Sequence, residues 1–118
     1  MHGDLVPGNI LVAGEVASGL LDFGFLSTIG DPAFDAAGAA SVFDMYGPDA
    51  ERSEAAVDRA VAAHFAYDRE RIVTYRAAYA LVTANCFSPS GSDGHFDWCI
   101  RMLRRDEVRD VLGLTSVR

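Results

Sequence analysis

At 118 residues, half of them apolar, the chain suits one domain or part of one, with a modest core. Seventeen acidic residues against ten basic ones leave a net charge of −7, which argues against a nucleic-acid partner. No apolar run reaches the roughly 18 residues of a membrane span, and no basic-then-apolar leader is present, so a cytoplasmic protein without a membrane partner is expected.

The chain opens with a loop, Met1-His2-Gly3-Asp4-Leu5-Val6-Pro7-Gly8-Asn9. Ile10 to Ala13 is apolar and β-prone, Gly14-Glu15 offers a turn, and Val16 to Leu21 is a second candidate strand. A hairpin here carries Asn9 at the start of one strand and Asp22 at the end of the next, side by side in an antiparallel pair. Asp31-Pro32 then reads as the N-cap and first position of a helix running to about Met45. Its apolar residues are mostly alanines, which suit close packing. Asp49 or Ser53 opens a second helix, with a stripe at Val57, Val61 and Phe65. Asp68 opens a third, to about Phe87, whose core face is expected at Ile72, Tyr75, Tyr79, Val82 and Cys86. Ser88 to Gly94 is a loop, which leaves His95 in a solvated segment. Two short helices are expected from about Phe96 to Arg104 and Glu107 to Leu112, with Gly113 as the stop and a frayed end at Thr115 to Arg118. Cys86 and Cys99 read as buried reduced thiols. His64 reads as a partly exposed helix residue, and Arg101, Arg104 and Arg105 as a solvated basic face.

The chemistry lies in the opening. The pattern is H-x-D-x-x-x-x-N followed by Leu21-Asp22-Phe23-Gly24, with 13 positions from Asn9 to Asp22. Phosphoryl transfer from ATP needs a carboxylate to orient the attacking hydroxyl and accept its proton, and oxygen ligands for Mg²⁺. Asp4 offers the first, and Asn9 and Asp22 offer the second.

His2-Gly3-Asp4, Asn9 and Asp22-Phe23-Gly24 together resemble the aminoglycoside phosphotransferase family, small-molecule kinases related in fold to protein kinases. Gly30-Asp31-Pro32-Ala33-Phe34-Asp35 resembles the family's G-D-P-x-x-D segment. The resemblance implies Asp4 as catalytic base, and Asn9 and Asp22 as ligands of the Mg²⁺ that accompanies ATP or another nucleoside triphosphate. It implies supporting roles for His2, which braces the loop, for Gly24 in the metal turn, and for Asp35, which hydrogen-bonds the loop backbone from the first helix. The fold implied is α+β, a kinase-like C-terminal lobe. Residues 1–30 would form the catalytic loop, hairpin and metal turn, and residues 31–113 a helical subdomain of four or five helices.

The chain contains no lysine and no G-x-G-x-x-G loop. In kinases those parts hold the nucleotide phosphates. The expectation is therefore a truncated lobe whose N-terminal nucleotide lobe is missing, or a non-catalytic helical remnant or binding module. Its uncovered docking surface would favour self-association. The partner implied is a small hydroxylated molecule, with antibiotics among the candidates. Acidic Asp44, Asp49, Glu51 and Asp93 suit a polyamine, whereas apolar Phe25 and Leu26 suit a less polar alcohol. Both remain open at this point.

Overall fold

A computed structural model describes residues 1–24 and 26–114. The expectations for Phe25 and for Thr115 to Arg118 lie outside the described residues.

After a short turn at Pro7–Asn9, β1 (Ile10–Ala13) and β2 (Val16–Leu20) form an antiparallel hairpin. Gly14 makes the turn at φ +64°, where a side chain would be strained. Ile10 pairs with Leu20 and Leu11 with Gly19, but Val12 pairs with Ala17, so Ser18 is an extra residue in the ladder. The hairpin's bonds are mostly its own. Leu11, Val12, Val16 and Leu20 are all exposed.

Among the described residues five helices follow: α1 (Ala33–Val42), α2 (Ala50–His64), α3 (Arg69–Thr83), α4 (Gly94–Leu103) and α5 (Asp106–Val111). The architecture is thus α+β, a two-stranded hairpin plus a helical body. α3 is its central element, packing against α1, α4 and α5. Val73, Ala77 and Ala80 of α3 meet Trp98, Cys99 and Met102 of α4 and Val108 of α5, while Ala33 and Ala37 of α1 close on Ile72. The alanines of α1 and α3 let the backbones approach closely at the crossings.

Several sequence expectations change in detail. Asp31 accepts from Ala33 N at 3.0 Å, and its carboxylate is held by Tyr75 Oη at 2.6 Å and by Arg71. It therefore works as the cap although helical geometry starts at Ala33. α1 stops at Val42, not Met45, because Phe43 is extended and Asp44 turns to φ +55°. α3 stops at Thr83, and its buried stripe is Ile72, Val73, Arg76, Ala77 and Ala80. The expected face was set too far round. Tyr75 and Tyr79 flank the true stripe, and Val82 and Cys86 face water. Of the two free thiols, only Cys99 is buried. In α2 the only buried residue is Glu54, while Val57 and Val61 are half-buried and Phe65 is exposed. His95 is no loop residue: α4 begins at Gly94, capped by Asp93 Oδ1 accepting from Phe96 N at 2.8 Å, and this buries the imidazole. Arg105 likewise turns inward to Glu54.

Candidate active site

The opening loop is shaped by backbone contacts before any side-chain chemistry. Gly3 adopts φ +86°, and a Cβ there would lie 2.3 Å from the Leu26 carbonyl oxygen. Only glycine fits a left-handed residue pressed against a neighbouring chain segment. From the first turn of α1, Asp35 reaches back to the loop. Its Oδ2 accepts from His2 N at 2.6 Å and its Oδ1 from Gly3 N at 2.8 Å. One carboxylate thereby satisfies two successive N–H groups and ties the loop to the helical body. Ser27 Oγ donates to the His2 carbonyl at 2.8 Å, and the Met1 and Thr28 backbones pair on the same side.

His2 is buried and sits between the loop and the hairpin. Its Nε2 lies 2.8 Å from the Leu21 carbonyl, and its Nδ1 lies 3.3 Å from Asp4 N. A carbonyl can only accept and a backbone N–H can only donate, so Nε2 carries the proton and Nδ1 is bare. This neutral tautomer spans from the residue before Asp22 to the backbone of Asp4. Phe23 packs edge-on against the ring at 4.6 Å. Asp22 itself sits at φ +58°, a left-handed conformation that aspartate tolerates better than most residues, at a cost on the order of 1 kcal/mol.

Across the hairpin mouth, Leu21 N donates to the Asn9 carbonyl at 2.8 Å, which continues the ladder to the position before Asp22. The Asn9 amide nitrogen donates to the Asp4 carbonyl at 3.0 Å and to Asp4 Oδ2 at 3.3 Å. That fixes the amide orientation and leaves Oδ1 as a free acceptor. Among the described residues neither Asp4 nor Asp22 has a cationic partner. A cleft of about 90 Å³ is lined by His2, Asp4, Asp22, Gly24 and Leu26.

The donor set suits Mg²⁺. That ion takes hard oxygen ligands, keeps several waters and is commonly held by one or two carboxylates together with substrate phosphates. An Asn9 amide oxygen and an Asp22 carboxylate match that description. No group of three His, Cys, Asp or Glu side chains able to cage a metal occurs among the described residues.

A model of the phosphotransferase enzyme family matches residues 1–73, from the opening loop into α3. The chain belongs to the phosphotransferase enzyme family. No curated protein and no solved structure matches it. The family match covers every site residue named from the sequence: His2, Asp4, Asn9, Asp22, Gly24 and Asp35.

Sequence reasoning missed Tyr79, which has the spacing of a core residue. It is half-buried beside the loop, lining the spaces next to Gly3 and Asp4. Burial foremost, with Tyr46 and the Asp4 carboxylate adding to it, pushes its phenol up to about 12. It is therefore a neutral hydroxyl at ordinary pH. The four acidic residues considered for substrate binding separate as well. Asp49 pairs with Arg52 at 3.3 Å, Asp93 caps α4, and Glu51 lines a different cleft. Asp44 alone of the four shares a cleft with Asp4.

Proposed function

We propose that these residues form the kinase-like C-terminal lobe of an ATP-dependent small-molecule phosphotransferase of the aminoglycoside/macrolide kinase type. The observation that supports it is the convergence of Asp4, Asn9 and Asp22 at the hairpin mouth, braced by His2 and Asp35.

Asp4 is the base. It holds the acceptor hydroxyl and takes its proton as the oxygen bonds to the γ-phosphorus and the bond to the ADP oxygen breaks. Asn9 and Asp22 would hold Mg²⁺, which would neutralise charge between the phosphates. His2 and Gly24 keep the two carboxylates in register, and Asp35 anchors the loop that carries the base. The lysine and glycine-rich loop that complete a phosphate clamp are not among these 118 residues, so those contacts come from elsewhere. The two free thiols and the use of ATP suit a cytoplasmic setting.

That missing lysine also favours a second reading, a non-catalytic module that keeps the site residues without turning over. Phosphorus NMR with MgATP and a panel of hydroxylated amines, on a form of the protein that includes those phosphate contacts, separates the two. A new phosphoester signal is expected, and none when EDTA is present from the start. ATP left intact with every acceptor would favour the non-catalytic module.

A further inference from the structure

A second cleft, of about 430 Å³, opens beside Asp4 and is lined by Val42, Asp44, Tyr46, Tyr79 and Phe87. Its size falls within the range of small-molecule sites. Its lining holds two carboxylates and no arginine, and neither carboxylate has an ion-pair partner among the described residues. Asp44 Oδ2 accepts from Asp49 N at 2.9 Å, which orients the group and leaves Oδ1 unbonded among the described residues. Three aromatic side chains complete the walls. Tyr46 and Phe87 are 59% and 73% exposed, a large apolar area left to water when the cleft is empty.

These walls are set from behind. His95, buried in α4, accepts from Tyr46 Oη at Nδ1 and bonds Thr83 Oγ1 through Nε2, both at 2.8 Å. Thr83 Oγ1 spends its proton on the Tyr79 carbonyl at 2.8 Å, so it accepts from His95 Nε2–H, and Nδ1 is then the bare nitrogen. The Tyr46, Tyr79 and Phe87 rings all stand edge-on to the imidazole, at 6.2, 6.1 and 5.1 Å. One buried ring thus fixes three walls before a ligand arrives, which lowers the ordering cost of binding.

We propose that this cleft is the acceptor site and that it takes a hydroxylated monoamine with an apolar body. Its ammonium group faces Asp44 and the aromatic walls, and its hydroxyl faces Asp4. This rests on the reading of Asp4 as the base. With Asp4 committed to the hydroxyl, one carboxylate remains for cation binding, so a single ammonium group fits better than a chain of them. The aromatic faces add cation–π attraction and cover the apolar body.

The test is binding, followed by calorimetry and by NMR shifts, with three probes. N-benzyl-N-methylethanolamine carries all three features, 2-(benzyloxy)ethanol lacks the charge, and spermidine lacks the apolar body and the hydroxyl. The amine should bind saturably with shifts at Tyr46, Tyr79 and Phe87, about tenfold more tightly than the neutral alcohol. Asp44→Asn keeps the acceptor for Asp49 N and tolerates φ +55°, so the turn survives. It should weaken the amine about threefold to fivefold and leave the neutral alcohol unchanged. Equal binding of amine and neutral alcohol, tighter binding of spermidine, shifts centred elsewhere, or no saturable binding at millimolar amine would each overturn the proposal. Because the readout is affinity, loss of the Asp4 assignment would leave a positive result standing. Conversely, an active enzyme indifferent to acceptor charge would remove this proposal alone.

Discussion

Asp4→Asn is expected to lower phosphoryl transfer by at least about a hundredfold, and by as much as about ten-thousandfold, the range general-base catalysis contributes. Asparagine keeps the size and the hydrogen-bonding shape of the side chain but cannot take a proton from a hydroxyl. The loop should hold its form, because its principal contacts use the Asp4 backbone. Asn9 Nδ2 bonds the Asp4 carbonyl, and the Asp4 N–H points to His2 Nδ1. Asp4 is also exposed, so the substitution buries nothing. Circular dichroism and the melting temperature should match the parent while turnover falls. Turnover within about tenfold of the parent would remove Asp4 as the base.

Arg76→Leu is expected to cost about 3–5 kcal/mol of stability, a fall of roughly 10–20 °C in melting temperature. Arg76 is the largest fully buried side chain among the described residues. Its Nη1 lies 3.3 Å from Glu54 and 3.0 Å from Asp58, its Nη2 pairs with Asp58 again, and its Nε donates to the Ala37 carbonyl at 3.3 Å. One guanidinium therefore joins α1, α2 and α3. Removing it leaves Glu54 to Arg105 alone and Asp58 to Arg69, which is itself shared with Glu107. The half-buried Asp58 carboxylate, stripped of its main partner, carries most of the penalty. The same network predicts acid sensitivity. Burial by itself would raise the Asp58 carboxyl, but the Arg76 and Arg69 guanidiniums outweigh it and hold the group below its ordinary value of 3.8. A carboxylate with a lowered folded value stabilises the protein above the ordinary value and loses that contribution as pH falls through the folded one. Parent stability should thus decline as pH drops below about 4, with a weaker decline in Arg76→Leu. Urea denaturation over that range measures both. A midpoint in Arg76→Leu unchanged from the parent at neutral pH would contradict the account.

The hairpin and the starts of most helices were legible because local chemistry sets them. Gly14 at a turn, Asp31-Pro32 before α1 and Gly113 after α5 each require one backbone shape. The loop motif was legible because its residue types and spacing leave few other uses. What failed to show was tertiary. The apolar spacing in α3 tracked Tyr75, Tyr79 and Val82, but the neighbouring helices chose the stripe through Val73, Ala77 and Ala80, where small side chains admit them. The sequence does not single out the Glu54–Arg76 pair, since nothing local distinguishes a paired buried charge from a free one. His95 followed a glycine- and serine-rich loop, and only the Asp93 cap pulls it into α4. Asp44 joined Asp4 only through the left-handed turn that ends α1, a conformation no periodicity signals.

The hairpin mouth is expected to hold the metal of a bound nucleotide. Paramagnetic Mn²⁺ shares the oxygen preference of Mg²⁺ and broadens the NMR signals of nearby nuclei. Titrating MnATP into the protein should broaden Asn9, Asp22 and Gly24 first, and the effect should vanish in Asp22→Asn. Broadening spread over the exposed acids Asp49, Glu51 and Asp106, with the hairpin mouth untouched, would contradict the account.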